Sequence, residues 1–581
     1  MAVQPVFFAL GLAMAFALAL FSRTKAENDV SPVFRGLALA ADGISAPFFL
    51  GVAGAVFTWG YDGLAFVLGL GAGYLLLQLL VAPLLPQAGA SSLPDYFGKR
   101  FGRVPRKLAS LAIALSMGLL LAAQLMAAGL AGARLLQVSY AVGIALADVA
   151  LLACFALNGK RVALWGAGVL FLVMLAAYLG PLVTFSTSNY GVPIPQIAYS
   201  NTVWQIQSLE ETLLEQDLAD PAVLKPLLRP FLSLTPVNFL GLTLALALGL
   251  SSLPNVVSRH FLAPAARTAR WSAVFALLFA TLLITAAPAL AAYAKFSLLS
   301  LIGDRVALAD LPAWLFRFGN LGLVEICGRA ATDAAAVAQA CAQLADAPPV
   351  LRLQDLTLNP DMITLAAPEI IGLDNAWLGG LAAAALAAAL ITADGPLAAI
   401  VNALGASDTS GDARWEPLTM AAAAVAVTAV IAVGRPADML TMATWAFTLA
   451  AAGLFPALIG GLWWRRANGA GAAAAILTGL AVTLVYIGVT RFFAVPLFEA
   501  LPSLSSAGPM ASETFDDLKQ AWTAAAPGQV KDAAWLALDQ HAQSIANLWG
   551  IKNLATVILA LPAGILSLIA VSLLTARDER A

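Results

Sequence analysis

From one end of the chain to the other, apolar runs of about 20 residues follow one another, each long enough to cross the hydrocarbon core of a bilayer as an α-helix. Lipid offers a backbone no hydrogen bonds, so a segment lying in it must satisfy its own amides, and a helix does so along its whole length. The pattern predicts helices at roughly 5–22, 34–59, 62–86, 107–135, 138–157, 161–184, 236–258, 270–297, 376–404, 416–434, 437–463, 468–490 and 552–576, about thirteen in all. Of the 581 residues 61% are hydrophobic and only 11% charged, against about 25% in soluble domains. The predicted class is an all-α polytopic membrane protein. Residues 2–21 have no basic stretch before them and no small-residue cleavage site ahead of Arg23 and Lys25, so they are read as a retained first helix rather than a signal peptide.

Several functions are excluded early. A formal net charge of −2 implies no nucleic acid and no acidic partner. Three Cys and two His are too few for a haem, iron–sulfur or zinc enzyme, and His260 and His541 read as solvated residues at a helix end and in a polar loop. No phosphate-binding glycine loop, dinucleotide fingerprint or HExxH pattern stands in a fitting context, so no enzyme is expected.

Lys and Arg collect in the loops on one side: Lys99, Arg100, Arg103, Arg106 and Lys107; Lys160 and Arg161; Arg259, Arg267 and Arg270; Arg465 and Arg466; Arg577 and Arg580. Cytoplasmic loops carry such an excess. The expected setting is a bacterial inner membrane, with the N-terminus periplasmic and the C-terminus cytoplasmic. The loop after the ninth helix departs from the pattern, because Asp408, Asp412 and Glu416 outnumber Arg414 there, but acids weigh little in this rule. Three long acidic loops, about 185–235, 298–375 and 491–551, then lie outside, with short helices expected near 209–219 and 331–345. Cys327 and Cys341 share the second of these, in an oxidising compartment. On one continuous helix they would be about 21 Å apart, too far for a disulfide, but Thr332-Asp333 reads as a helix N-cap and a turn before it could bring them together. Cys154 lies within the fifth helix and reads as an apolar filler.

Ionisable residues inside membrane helices are costly and mark function. Asp42 stands in the second helix beside Gly43, Ser45 and Pro47; Pro47 removes an amide donor and Gly43 tolerates an unwound backbone, so a break is expected, with a plain proline kink as the competing reading. Carbonyls freed there are hard oxygen ligands for an alkali cation. Five helices later, Ser251, Ser252, Pro254 and Asn255 interrupt the seventh helix in the same way. Paired broken helices point to an inverted-repeat transporter. Five is odd, so helices two to six and seven to eleven are inverted repeats of one another. The predicted division is 1–33 for the first helix and link, 34–184 for the first repeat, 185–235 for an external loop, 236–463 for the second repeat with loop 298–375, and 464–581 for two last helices with loop 491–551. The ninth helix adds Thr392, Asp394 and Asn402, and the fourth has a lone amide, Gln124, suited to binding solute or to joining helices.

These segments resemble the sodium:solute symporter family, in its branch of acetate and short-chain monocarboxylate permeases, in register from about Pro32 to Ala467. "GLALAADGISAPFFLGVAGAVFTWGYDGL" is similar to the family's first core helix, "SSLPDYFGKRFG" to its cytoplasmic Pro-Asp-Phe signature, "SSLPNVVSRHFLAPAARTARWS" to its sixth, "ITADGPLAAIVNAL" to its eighth and "WAFTLAAAGLFPALIGGLWWRRANGAGA" to its tenth. The resemblance implies a five-plus-five, leucine-transporter-type core working by alternating access. It also implies a sodium ion as the coupling ion, held by the carbonyls of Ala41, Ile44 and Ala388 and the hydroxyl of Thr392. Ile391 departs from the family's second hydroxyl, so water or Asp394 would have to replace that ligand, and proton coupling through Asp394 or Asp42 stays open. Asn255 departs from a frequent His of the branch. The solute implied is a small organic anion, met by Asp42, Ser45, Gln124, Ser251, Ser252, Asn255, Asp394 and half-helix N-termini, with no Arg or Lys at mid-helix near the cavity. Some relatives of the branch are encoded beside a small two-helix membrane protein, a possible subunit. A membrane sensor on the same fold is the competing class; it would need an output domain, and few residues follow the last predicted helix.

Overall fold

The computed structural model describes residues 4–24, 30–158, 164–221, 223–261, 263–344, 348–405, 416–505 and 508–575. Lys25, Lys160, Arg161, Asp408, Asp412, Arg414, Arg577 and Arg580, on which part of the charge argument rests, lie outside them. Among the described residues, twelve stretches are long and apolar enough to cross a membrane. One of them, Ala46–Val81, contains two crossings: the chain reverses at Gly60 (φ +61°), and Gly63 lies so close beneath Val56 that a Cβ there would be 2.6 Å from the Val56 Cα. Only glycine fits such an approach.

Thirteen crossings result among the described residues. They are α1 (Gln4–Thr24), α2 in two halves (α2a, Pro32–Gly43; α2b, Ala46–Trp59), α3 (Leu64–Leu76), α4 (Arg103–Leu136), α5 (Tyr140–Asn158) and α6 (Leu164–Tyr190). Then come α7 in two halves (α7a, Pro236–Ser252; α7b, Pro254–Phe261), α8 (Ala266–Gly303), α9 (Asn375–Ala403), α10 (Glu416–Gly434), α11 (Met439–Trp463), α12 (Gly469–Phe492) and α13 (Val557–Thr575). Helices α2–α6 and α7–α11 are the two inverted repeats. The interior is built by α9 lying along α4, α7a along α3, and α2a between α6 and α8. Small residues permit these contacts: a Cβ on Gly36 of α2a would meet the Cβ of Phe275 in α8 at 2.5 Å, and one on Gly143 of α5 would meet the Gly129 carbonyl of α4 at 2.4 Å. With no hydrophobic drive between helices in lipid, such close packing is what joins them.

The long loops are structured. Helix Pro195–Glu215 begins well before the expected 209–219, and Ala334–Cys341 is shorter than 331–345. A three-stranded antiparallel sheet, which the sequence pattern did not announce, joins Val324–Ile326 to Arg329–Ala330 on one side and to Leu356–Leu358 on the other. Its two-residue turn is Cys327-Gly328, with φ of 53° and 74°, a type I′ geometry. Asp333 caps the following helix by accepting the Ala336 N–H at 2.8 Å, and Cys341 returns to Cys327 in a disulfide. The third loop folds as a hairpin, Pro509–Ala524 and Gln529–Ile545, around Phe498, Phe515 and Leu538.

Candidate functional site

Both broken helices interrupt at the residues that disallow a continuous ladder. In α2 the Ile44 N–H reaches the Ala40 carbonyl at 2.9 Å, and the next bonds, from Phe48 and Phe49, return to Ser45 at 3.1 and 3.0 Å. Residue 47, which would otherwise donate to Gly43, is proline. The carbonyls of Ala41, Asp42, Gly43 and Ile44 therefore end α2a inside the protein, where all four residues are buried. The Tyr74 hydroxyl of α3 lies between the Leu39 and Ala40 carbonyls, at 3.0 and 3.2 Å, and Gly43 leaves it the room; a Cβ there would be 2.1 Å away. In α7 the break is at Leu253, in extended conformation (ψ 122°) just before Pro254.

Chain direction gives these breaks their polarity. The N-termini of α2b and α7b face the middle of the protein and carry the positive ends of their dipoles, which favour an anion. The C-termini of α2a and α7a present carbonyls, which favour a cation. Helix α9 packs on both halves of α2 and on α7b. On it the Thr392 hydroxyl donates to the Ala388 carbonyl at 2.7 Å, so these two oxygens sit together one turn apart. Ile391 is buried beside them and offers only hydrocarbon. Asp394 lies about 200° around the helix from Thr392. Its Oδ2 accepts from the Asn158 amide of α5 at 3.2 Å, so the carboxylate is directed away from the Thr392 face.

The other expected residues are all buried, and they divide by partner. Ser251 and Ser252 both donate to the Leu248 carbonyl, at 2.9 and 2.8 Å, so their hydroxyls serve the end of α7a. Ser45 Oγ and both polar side-chain atoms of Gln124 and of Asn255 have no hydrogen-bond partner among the described residues, although these residues are at most 4% exposed. A buried polar group left unmade costs about 1–3 kcal/mol. Asn255 faces Gly395 of α9, where a Cβ would lie 3.2 Å from its own.

Asp42 does not stand alone. Arg259 of α7b forks onto it through Nε and Nη2, with the two side chains only 2% and 8% exposed. This corrects the expectation that Arg259 lies in the loop after the seventh helix. The sequence pattern ends the seventh helix at residue 258, whereas α7b continues to Phe261 and carries Arg259 inward, one turn beyond Asn255. His260 is corrected likewise: it is 1% exposed, not solvated. Two further groups were missed. Asn158, the partner of Asp394, closes α5, and Asp148 of α5 is a third membrane carboxylate, after Asp42 and Asp394, with a buried oxygen, Oδ1, that has no partner among the described residues. Asp148 is the one acid in its apolar run, a signal present in the sequence.

An inverted repeat with two interrupted helices, opposed dipole ends at the breaks and buried polar groups beside them define a secondary transporter rather than an enzyme. Residues 25–310, just under half of the chain, match the profile of the sodium:solute symporter family. A protein of Cupriavidus necator described as an uncharacterised symporter is 29% identical over 84% of this chain and 85% of its own length. A monocarboxylic acid transporter of Corynebacterium glutamicum is 27% identical over 78% of this chain and 75% of its own. Among solved structures, a Na+-coupled sialic acid symporter in a substrate-bound, outward-open state superposes with a TM-score of 0.51 at 14% identity, covering 85% of this chain and 92% of its own, a likeness of fold.

Proposed function

We propose that the chain is a sodium-coupled symporter of acetate or another short-chain monocarboxylate. The observation that carries this reading is the pairing of two opposed half-helix N-termini with the unpartnered Ser45, Gln124 and Asn255, a setting for a small anion that accepts few hydrogen bonds. The name of the Corynebacterium relative supports the same solute class. Sodium lies between α2 and α9, on the carbonyls of Ala41, Ile44 and Ala388 and the hydroxyl of Thr392, with water completing the shell. Asp42 acts with Arg259 as an inner closure rather than as a direct ligand. The long-loop side faces the periplasm and the Arg-rich side the cytoplasm of a bacterial inner membrane.

Uptake of labelled acetate, propionate and pyruvate into proteoliposomes, with and without a sodium gradient, tests the reading. Sodium-driven accumulation of at least one is expected; no accumulation of any of the three refutes it. A second reading, proton coupling, is favoured by Ile391 in place of a ligand and by the buried Asp394–Asn158 pair. Uptake that follows an imposed pH gradient and ignores sodium selects it.

A further inference from the structure

On the long-loop side, away from the breaks, a cavity of about 170 Å³ opens between α4, the start of α5, the α10–α11 turn and the loop segment at Asn359–Asp361. Its wall on α4 is Met126 and Leu130. Met126 is about 200° around that helix from Gln124, so the cavity and the buried amide use different faces.

The cavity holds a cation with no carboxylate assigned to it. Arg435, in the turn, has φ of 43°, a left-handed conformation that a side chain as large as arginine rarely takes. Backbone strain of this kind collects at ligand sites. The guanidinium lies over the Tyr140 ring, 3.5 Å from its centroid, and forms no ion pair among the described residues. Tyr140 takes the face of the guanidinium and one of its hydrogen bonds; with five N–H donors in its fork, the guanidinium keeps others with which to grip a planar carboxylate. Arg491, by contrast, is already held by the Pro436 carbonyl, at 2.8 Å from Nε, and by Gln543.

The acids of the cavity form no ion pair with Arg435 among the described residues, although Asp361 feels its charge. Asp438 is engaged in capping α11, accepting the Thr441 N–H at 2.8 Å and its hydroxyl at 2.7 Å. Asp361, 7% exposed, accepts the Met439 N–H at 3.1 Å with one oxygen, and its other oxygen is buried without a partner. Burial and the neighbouring Asp438 push the Asp361 carboxyl up, against the pull of the Met439 amide and Arg435. In its protonated form it is a donor. Asn359 accepts the Asp361 N–H at 2.9 Å through its oxygen, which leaves its amide nitrogen to donate as well. Arg491 has Asp438 and Asp539 as its acidic neighbours, whereas Arg435 has Asp361.

We propose that this cavity binds a small planar monoanion of the carboxylate type, gripped by the edge of Arg435 with Asp361 and Asn359 as further donors, and separate from the solute site at the helix breaks. At about 30 Å³ per water, the volume suits a few waters or a solute of similar bulk. The bound anion joins the α10–α11 turn to the Asn359–Asp361 segment. That segment rests on α2b, where a Cβ on Gly54 would be 2.0 Å from the Pro360 carbonyl. The site therefore links the outer half of the broken helix to the second repeat.

The test uses the purified full chain and phenylglyoxal, which modifies accessible guanidinium groups, with the product mapped by peptide mass. At neutral pH, formate, acetate or bicarbonate should slow modification of Arg435 and leave the exposed Arg465 unaffected, while chloride at the same ionic strength should not protect. The ranking of the three anions names the source. Asp361→Ala should leave Arg435 reactive and raise the half-protecting concentration about tenfold, the loss of one good hydrogen bond. Equal modification with and without the anions, equal protection by chloride, or unchanged protection in Asp361→Ala overturns the proposal. Protection needs no transport, so a chain that takes up no monocarboxylate yet shields Arg435 refutes the transport reading and keeps this site. Propionate uptake with Arg435 unshielded does the reverse.

Discussion

Removing either member of the Asp42–Arg259 pair should destabilise the protein far more than removing both. The pair joins α2a to α7b with both side chains at least nine-tenths buried. Asp42→Asn leaves a guanidinium in a low-dielectric interior without its counter-charge, and breaking a buried pair from one side costs about 3–5 kcal/mol. That corresponds to roughly two to three and a half powers of ten in the folded-to-unfolded ratio. Arg259→Gln strands the carboxylate at a similar cost. In the double variant Asp42→Asn with Arg259→Gln no charge remains to be stranded, and two amides can bond to each other, so most of the loss should be recovered. The chain carries its own reporter: Cys154 is a buried free thiol and the other two cysteines are bonded to each other. A thiol-reactive dye added during heating thus reports opening of the helical bundle at one site. Both single variants should release Cys154 at clearly lower temperature than wild type, and the double variant should lie near it. Singles that melt like wild type, or a double as unstable as the sum of its parts, would refute the claim that this ion pair is a structural closure.

Thiol labelling of denatured, unreduced protein should find Cys154 alone, and reduction should lower stability by about 3 kcal/mol, the entropy of a closed loop of about fifteen residues; three labelled thiols without reductant would contradict this. Thr392→Ala should raise the sodium concentration for half-maximal uptake and Ile391→Ser should lower it, by adding a hydroxyl beside the Thr392–Ala388 pair; equal sodium dependence in all three proteins argues against that site. One sodium carried with one monocarboxylate moves no net charge, so clamping the membrane potential to zero should leave uptake intact, whereas a net charge would feel about 2.3 kcal/mol per 100 mV. Burial and Asp438 raise the Asp361 carboxyl to about 8, so the folded chain keeps a proton that the unfolded chain gives up above about 4. Stability should therefore fall as pH rises between those values, in a field set by Asp438, Arg435, Arg491 and Tyr140; Asp361→Asn should flatten that fall in tryptophan-fluorescence melts, and an unchanged pH profile would count against it.

The breaks were legible because proline and glycine act locally: Pro47 and Pro254 remove donors wherever the chain goes. Burial of Gln124, Thr392 and Asp394 followed from the cost of polar groups in lipid. Arg259 was not legible, because hydropathy treats the first charged residue after an apolar run as the start of a loop. Its inward position depends on Asp42, 217 residues earlier in the chain, and on a helix that continues to Phe261. The side to which Asp394 turns was a matter of helical phase, and the sequence supplied Thr392 and Asp394 without saying that their 200° separation would direct them to different neighbours. The small sheet escaped because strands of two and three residues are too short to show an alternating pattern.

The second long loop is bolted to α2b twice, by the fit of Pro360 against Gly54 and by the Thr364 hydroxyl on the Leu50 carbonyl. Any tilt of that half-helix would carry the loop, and the disulfide-tied sheet at its far end, along with it. The surface of the sheet is thus a handle on the half-helix: an antibody fragment that gripped the strands Val324–Ile326 and Leu356–Leu358 would hold α2b in place without touching the helix breaks.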